Sequence, residues 1–216
     1  ITDDVCAVFV EPVQGEGGIN VASDEFLQRL RTLCDRHNAL LVVDEIQCGM
    51  GRTGTLWAHT QAQVQPDMLT SAKPLGGGLP IGAVLAKQRV ADALAPGDHG
   101  TTFGGGPLVT AVAQVVLRRV SDPAFLQHVR DIGSYLDNKL QELAASHPDT
   151  ITQVRGRGLM RGLRINGSAA AVRQQCHHEG LLVATAGEDV VRLLPPLIIN
   201  ETHVDEAVEK LGRALG

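Results

Sequence analysis

Leu40-Leu41-Val42-Val43-Asp44-Glu45-Ile46-Gln47-Cys48-Gly49-Met50-Gly51-Arg52-Thr53-Gly54 is the stretch on which the fold turns. Four apolar residues in a row, with no polar alternation, suit a strand buried on both faces, the usual strand of a parallel sheet covered by helices. The run then breaks into two carboxylates and a glycine-rich loop. Open α/β sheets bind ligands beyond the carboxyl ends of their strands, so Asp44 and Glu45 stand where chemistry is expected. One of the pair is expected to serve a site; the plain alternative is a loop-capping acid satisfied by backbone amides.

Outward from that strand the pattern stays α/β. Val5 to Val10 reads as a strand, and Ser23 can cap a helix with Phe26, Leu27, Leu30, Leu33 and Cys34 on one face. Met68 to Ala72 and Ile81 to Ala86 read as further strands, separated by a Gly/Pro-rich spacer, 74–80, that excludes regular helix. Helical spacing begins at Pro107, and Asp122 to Ser146 carries Phe125, Leu126, Val129, Ile132, Leu136, Leu140 and Leu143, a long helix expected to bridge two domains. Beyond it, strand-like Leu159 to Ile165, a helix at Ala169 to His178, strands at Leu181 to Ala184 and Val190 to Leu194, and a last helix with Val204, Ala207, Val208 and Leu211 describe a small α+β unit. The expected division is 1–118, part of a large domain with a mostly parallel sheet, and 119–216, the bridging helix and a small C-terminal domain.

Composition narrows the function. The chain has 216 residues, 3% aromatic, with a formal net charge of −5. Few stacking residues and a negative balance argue against nucleic acid and for small metabolites. Apolar runs such as Ala39 to Val43 fall far short of the roughly 20 residues a membrane-spanning helix needs. The first residue is Ile1, with no basic leader, which reads as an abrupt start. Cys6, Cys34, Cys48 and Cys176 are scattered without framework spacing, the pattern of reduced thiols in an intracellular protein.

Lys73 follows the Met68–Ala72 strand as Asp44 follows the Leu40–Val43 strand. A lysine hemmed in by small residues and a proline can be desolvated, which lowers its pKa and frees the amine as a nucleophile; alone it would read as a surface lysine. Together the two residues are sharper, because a pyridoxal cofactor needs a lysine for its aldehyde and an acid for its pyridinium nitrogen. A protonated ring then takes up the electrons left when the substrate loses its α-proton, and the freed lysine can shuttle that proton.

The composite of residues 41–54, Pro66-Asp67 and Ser71-Ala72-Lys73-Pro74-Leu75-Gly76-Gly77-Gly78 resembles the class III aminotransferases. The acetylornithine and ornithine aminotransferase branch is the most similar, through Glu11-Pro12-Val13-Gln14-Gly15-Glu16-Gly17-Gly18, His99-Gly100-Thr101-Thr102-Phe103-Gly104-Gly105 and Val191-Arg192-Leu193-Leu194-Pro195-Pro196-Leu197. The resemblance implies a fold-type-I α/β architecture and pyridoxal 5'-phosphate as cofactor. It implies that Lys73 forms the Schiff base, Asp44 pairs with the pyridinium nitrogen, Ile46 packs on one ring face and Gln47 lies near the ring hydroxyl. Thr102 would bind the cofactor phosphate from the neighbouring subunit of a homodimer, and the hydroxyls and glycine amides of Thr101 to Gly106 suit a phosphate. Arg192 would grip the substrate α-carboxylate with its planar fork, and Glu16 would pair with it as basic and dicarboxylate substrates alternate.

Gly49 to Gly54 also satisfies the dinucleotide-binding pattern, but the Asp44-Glu45 pair would crowd a pyrophosphate and no helix begins in the loop. His177-His178 point in different directions on a helix and lack a third ligand, so no metal site is expected. Arg155, Arg157, Arg161 and Arg164 read as loop and strand charge. The resembling family has a Gly/Ser/Thr phosphate loop and a ring-stacking aromatic ahead of the part matching Ile1; Cys48 stands where the family often has Thr, and Gly106 where Asn is common.

The resemblance implies transfer of an amino group from N-acetylornithine or ornithine to 2-oxoglutarate by a ping-pong cycle. Another ω-amino donor such as 4-aminobutyrate, and a non-catalytic assembly partner, are the alternatives. The expected compartment is the cytoplasm, or the mitochondrial matrix in a eukaryote.

Overall fold

The computed structural model describes residues 1–102 and 104–216; Phe103 of the quoted glycine-rich block lies outside them. Two compact units account for the chain: Ile1–Pro12, Ala22–Gly51 and Thr55–Asp122 in the first, Val13–Val21, Arg52–Gly54 and Pro123–Gly216 in the second.

The first unit is built on a sheet ordered β1 (Ala7–Val10), β2 (Leu40–Asp44), β3 (Met68–Ser71) and β4 (Ala83–Ala86). β1, β2 and β3 run parallel and β4 is antiparallel to β3. Helix α1 (Asp24–Arg36) starts where Ser23 accepts a hydrogen bond from Phe26 N, with Asp24 and Glu25 complementing the positive helix end. It buries Leu27 and Cys34 and packs Leu30 against the sheet face formed by Val8, Val10, Leu41 and Val43. Phe26 belongs to the expected apolar face yet is 49% exposed, because it sits at the edge of that stripe. The opposite sheet face carries Phe9, Val42, Asp44, Thr70 and Val84, of which Phe9 and Val84 are exposed.

At the start of β3, Asp67 is buried and gathers three cations. Its carboxylate accepts from Arg31, Arg89 and the amide of Leu41, and Lys87 lies at 3.1 Å. Burial alone would raise this carboxyl, but the bonds from Leu41, Arg31, Arg89 and Lys87 outweigh it and hold it well below the usual carboxylate range. After β3 the spacer begins with a short 3-10 turn, Lys73–Gly76, and never becomes α-helix. A short helix α2 (Gln88–Ala91) and α3 (Pro107–Val120), with Pro107 at its first turn, complete the unit.

In the second unit α4 (Pro123–Ser146) buries Phe125, Val129, Ile132, Leu136, Leu140 and Leu143, one face of a helix at its natural period. An antiparallel sheet follows, ordered β5 (Ile151–Arg157), β6 (Met160–Ile165), β8 (Val190–Leu193) and β7 (Ala184–Ala186). β5 is an added strand that the sequence pattern hides: its polar side chains and a register shift near Gln153 break the alternation. The strand expected at Leu181 to Ala184 begins only at Ala184, since Leu182 is 87% exposed and drives no pairing. Helix α5 (Ala169–His178) is capped by Ser168, and His177 and His178 are exposed on it. Helix α6 (Glu201–Leu215) opens with a reciprocal cap, His203 N donating to Asn200 Oδ1 and Asn200 N to His203 Nδ1.

Two arginines stitch this unit. Arg161, 8% exposed, donates to Asp137 and to the carbonyls of Gly133, Gly156 and Gly158, so it is a core crosslink rather than loop charge. Arg52 donates to the carbonyls of Leu159 and Pro195, and burial pushes its guanidinium down to about 10. No helix among the described residues is long and apolar enough to cross a membrane.

Candidate active site

Parallel pairing puts Asp44 directly opposite Thr70, and Glu45 N donates to Thr70 O at 3.0 Å. Lys73 lies three residues beyond Thr70. The acid and the amine therefore leave neighbouring parallel strands at the same end of the sheet, the end where such sheets place their chemistry. Asp44 is half-buried and its Oδ1 accepts from Ile46 N at 2.9 Å, a local turn that fixes the carboxylate and the start of the loop. Ile46 and Gln47 are half-buried beside it.

Lys73 differs from its expected environment. It is exposed, so the small residues before it and the proline after it do not cover its side chain. Its backbone is unusual: φ is +33° at Lys73, a left-handed value that non-glycine residues rarely adopt, following Ala72 at φ −155° and ψ −131°. Strain of this kind clusters at functional sites.

A second polar feature lies on the same face. Thr70 shares the sheet face of Asp44, and its Oγ1 is buried without a hydrogen-bond partner. A buried hydroxyl left unpaired costs free energy, so a polar group arriving beside Asp44 would find a donor and acceptor waiting. Asp44, Thr70 and Lys73 thus fit a polar ring that needs an acid, a hydroxyl and an amine.

The two adjacent carboxylates have separate fates. Glu45 is fully buried on the opposite face and accepts from Ala58 N at 2.9 Å, His59 N at 2.9 Å and the Cys48 thiol at 3.5 Å. His59 Nδ1 sits 2.7 Å from the same carboxylate, and because a carboxylate only accepts, Nδ1 carries the hydrogen. Glu45 is the loop-holding acid, and Asp44 stays at the carboxyl end of β2 on the face it shares with Thr70.

Thr101 and Thr102 are exposed, and Gly106 is the N-cap of α3. In the second unit, Arg192 on β8 donates to Glu16 Oε1 at 2.8 Å and to Gly15 O at 3.1 Å. The arginine is 11% exposed and the glutamate 69%. Sequence reasoning missed Thr70, Arg52 and the Glu45–His59 pair. Only Thr70 carried a usable signal, a hydroxyl three residues before the lysine on a buried strand.

The chain as a whole is similar to known proteins. The family model described as Aminotransferase class-III matches residues 1–215. The chain is 47% identical over 215 residues to an acetylornithine aminotransferase, mitochondrial, of Yarrowia lipolytica, covering 100% of this chain and 52% of that protein. It is 48% identical over 219 residues to a succinylornithine transaminase of Yersinia pseudotuberculosis, covering 100% of this chain and 53% of the other. Among solved structures, N-acetylornithine aminotransferase from Stenotrophomonas maltophilia superposes with a TM-score of 0.89 at 44% identity, over 98% of this chain and 56% of that one. Ornithine aminotransferase from Toxoplasma gondii gives 0.92 at 36%, over 99% and 52%. The chain spans about half the length of the curated relatives it matches. With an acid and a lysine at adjacent strand ends, and a match running from the first residue to the last but one, this chain belongs to the class-III aminotransferase family.

Proposed function

We propose that the protein carrying this chain transfers an amino group from an ornithine derivative, N-acetylornithine or ornithine, to 2-oxoglutarate with pyridoxal 5'-phosphate. The observation that carries the reading is the placement of Asp44 and Lys73 beyond neighbouring parallel strands, with Asp44 in register with Thr70. When bound, the cofactor supplies an aldehyde for an amine and a protonated ring that accepts electrons. Asp44 holds the proton on the ring nitrogen. Lys73 supplies the amine and moves the substrate proton, Ile46 packs on the ring and Gln47 meets its hydroxyl. Thr102, with Thr101 beside it, would bind the cofactor phosphate of the neighbouring subunit in a homodimer. Arg192 orients the substrate carboxylate, and Glu16 balances its charge when no carboxylate is there. Two relatives in the comparison bear ornithine-derivative names, which favours that donor class over 4-aminobutyrate. The compartment consistent with this role is the cytosol, or the mitochondrial matrix in a eukaryote.

Titration of pyridoxal 5'-phosphate, borohydride reduction and peptide mapping test the reading. A label on Lys73 that Lys73→Ala abolishes, with amino transfer from an ornithine derivative in the unmodified protein, is the expected result. A label elsewhere would remove Lys73 from its role. Cofactor binding without transfer from any ornithine derivative would move the donor to another ω-amino compound.

A further inference from the structure

We infer that Glu45 and His59 form a buried positioning pair that sets the geometry of the cofactor-facing residues Asp44, Ile46 and Gln47; this rests on the cofactor reading above. Glu45 follows Asp44 directly, and alternation along an extended chain sends its side chain to the other face of the sheet. There the carboxylate draws in the far end of the loop: the amides of Ala58 and His59, the His59 ring and the Cys48 thiol all point at its two oxygens. Ala58 and His59 begin a 3-10 turn, Ala58–Ala62, whose Trp57 N-cap offers no side-chain cap, so Glu45 serves as its cap from fourteen positions upstream.

The loop is pinned at its near end as well. Gly49 N donates to Glu45 O, and a Cβ at Gly49 would come within 2.7 Å of Glu45 O and 2.9 Å of its Cβ. Between these anchors lie Ile46 and Gln47, and Ile46 N is the donor that orients Asp44. The carboxylate that faces inward thus fixes the peptide from which the ligand-facing carboxylate takes its hydrogen bond. Glu45, His59 and Ala58 are at most 7% exposed, so no water replaces a lost partner.

The test uses the complete protein carrying this chain, with pyridoxal 5'-phosphate as probe. Amide hydrogen exchange at Ala58 and His59 without cofactor reads the clamp; cofactor affinity and the pH profile of its visible band read the positioning. Glu45→Gln, which leaves an NH2 facing backbone donors, should speed exchange and weaken cofactor binding about tenfold, with a displaced pH profile. His59→Asn, whose Nδ2 can replace Nδ1 as donor, should stay close to the parent where His59→Ala does not. Faster exchange in Glu45→Gln with unchanged affinity and pH profile would overturn the positioning role and leave Glu45 a purely structural acid. Unchanged exchange would overturn the clamp. Absence of a Lys73 label in the unmodified protein would instead overturn the cofactor reading, and the positioning role with it.

Discussion

Arg192 on β8 is held to the Val13–Val21 segment by Glu16, whose Oε1 accepts from Nη1 at 2.8 Å. With Glu16 69% exposed, the pair adds at most about 1 kcal/mol to stability. In the proposed function its weight falls on substrate binding. Arg192→Lys exchanges a planar fork for a point charge, and the KM for the 2-oxo acid should rise about tenfold to a hundredfold. Steady-state kinetics beside thermal unfolding separate the two effects; an unchanged KM would take Arg192 out of substrate binding.

Asp67 makes stability depend on acid. Its carboxyl titrates below its unfolded value, so the stabilisation is complete above the ordinary aspartate range near pH 4 and is lost as pH falls through the depressed folded value. Denaturant melts between pH 6 and pH 3 should show a falling midpoint that is shallower in Asp67→Asn. Asp67→Ala leaves part-buried Arg31 with Asp35 alone and the buried Leu41 amide without its acceptor, and should cost about 3–5 kcal/mol at neutral pH.

Gly133 lies in α4 against the backbone of Gly158, where an added Cβ would come within 2.8 Å. Alanine gains about 1 kcal/mol of helix propensity over glycine, but overpacking against backbone costs about 1–3 kcal/mol. Because Gly158 itself sits at φ +53° with the Arg52 carbonyl 2.7 Å from any Cβ, it cannot retreat. Gly133→Ala should therefore destabilise, and a raised melting temperature would contradict the packing.

Cys48 donates its thiol to Glu45. Threonine offers a stronger donor of similar size, and valine the same shape with none. Cys48→Thr should be more stable than Cys48→Val by about 1 kcal/mol, measured by urea unfolding of the pair.

Much of this was legible from local pattern. β2 and its terminal acid stood out because an unbroken apolar run ends on a charge, and Ser23, Pro107 and the α4 stripe marked their helices by capping chemistry and period. The hidden parts depend on partners distant in sequence. Glu45 meets His59 fourteen residues on, Arg52 meets Pro195, and Arg161 meets Gly133, and a charged residue gives no local sign that it will be buried. Nothing in 13–21 or 52–54 announces that these segments join the second unit. Lys73 was expected to be shielded by small neighbours and is exposed, since exposure depends on what covers a turn rather than on the size of its neighbours.

In the role proposed for Lys73, its left-handed turn sets folding against chemistry. Glycine would adopt φ +33° without steric penalty, whereas lysine holds it at a cost of about 1–3 kcal/mol. Lys73→Gly should thus yield a sturdier protein that has lost its amine, and small added amines could restore part of the lost reaction. A chain selected for durability alone would have no reason to keep a lysine there.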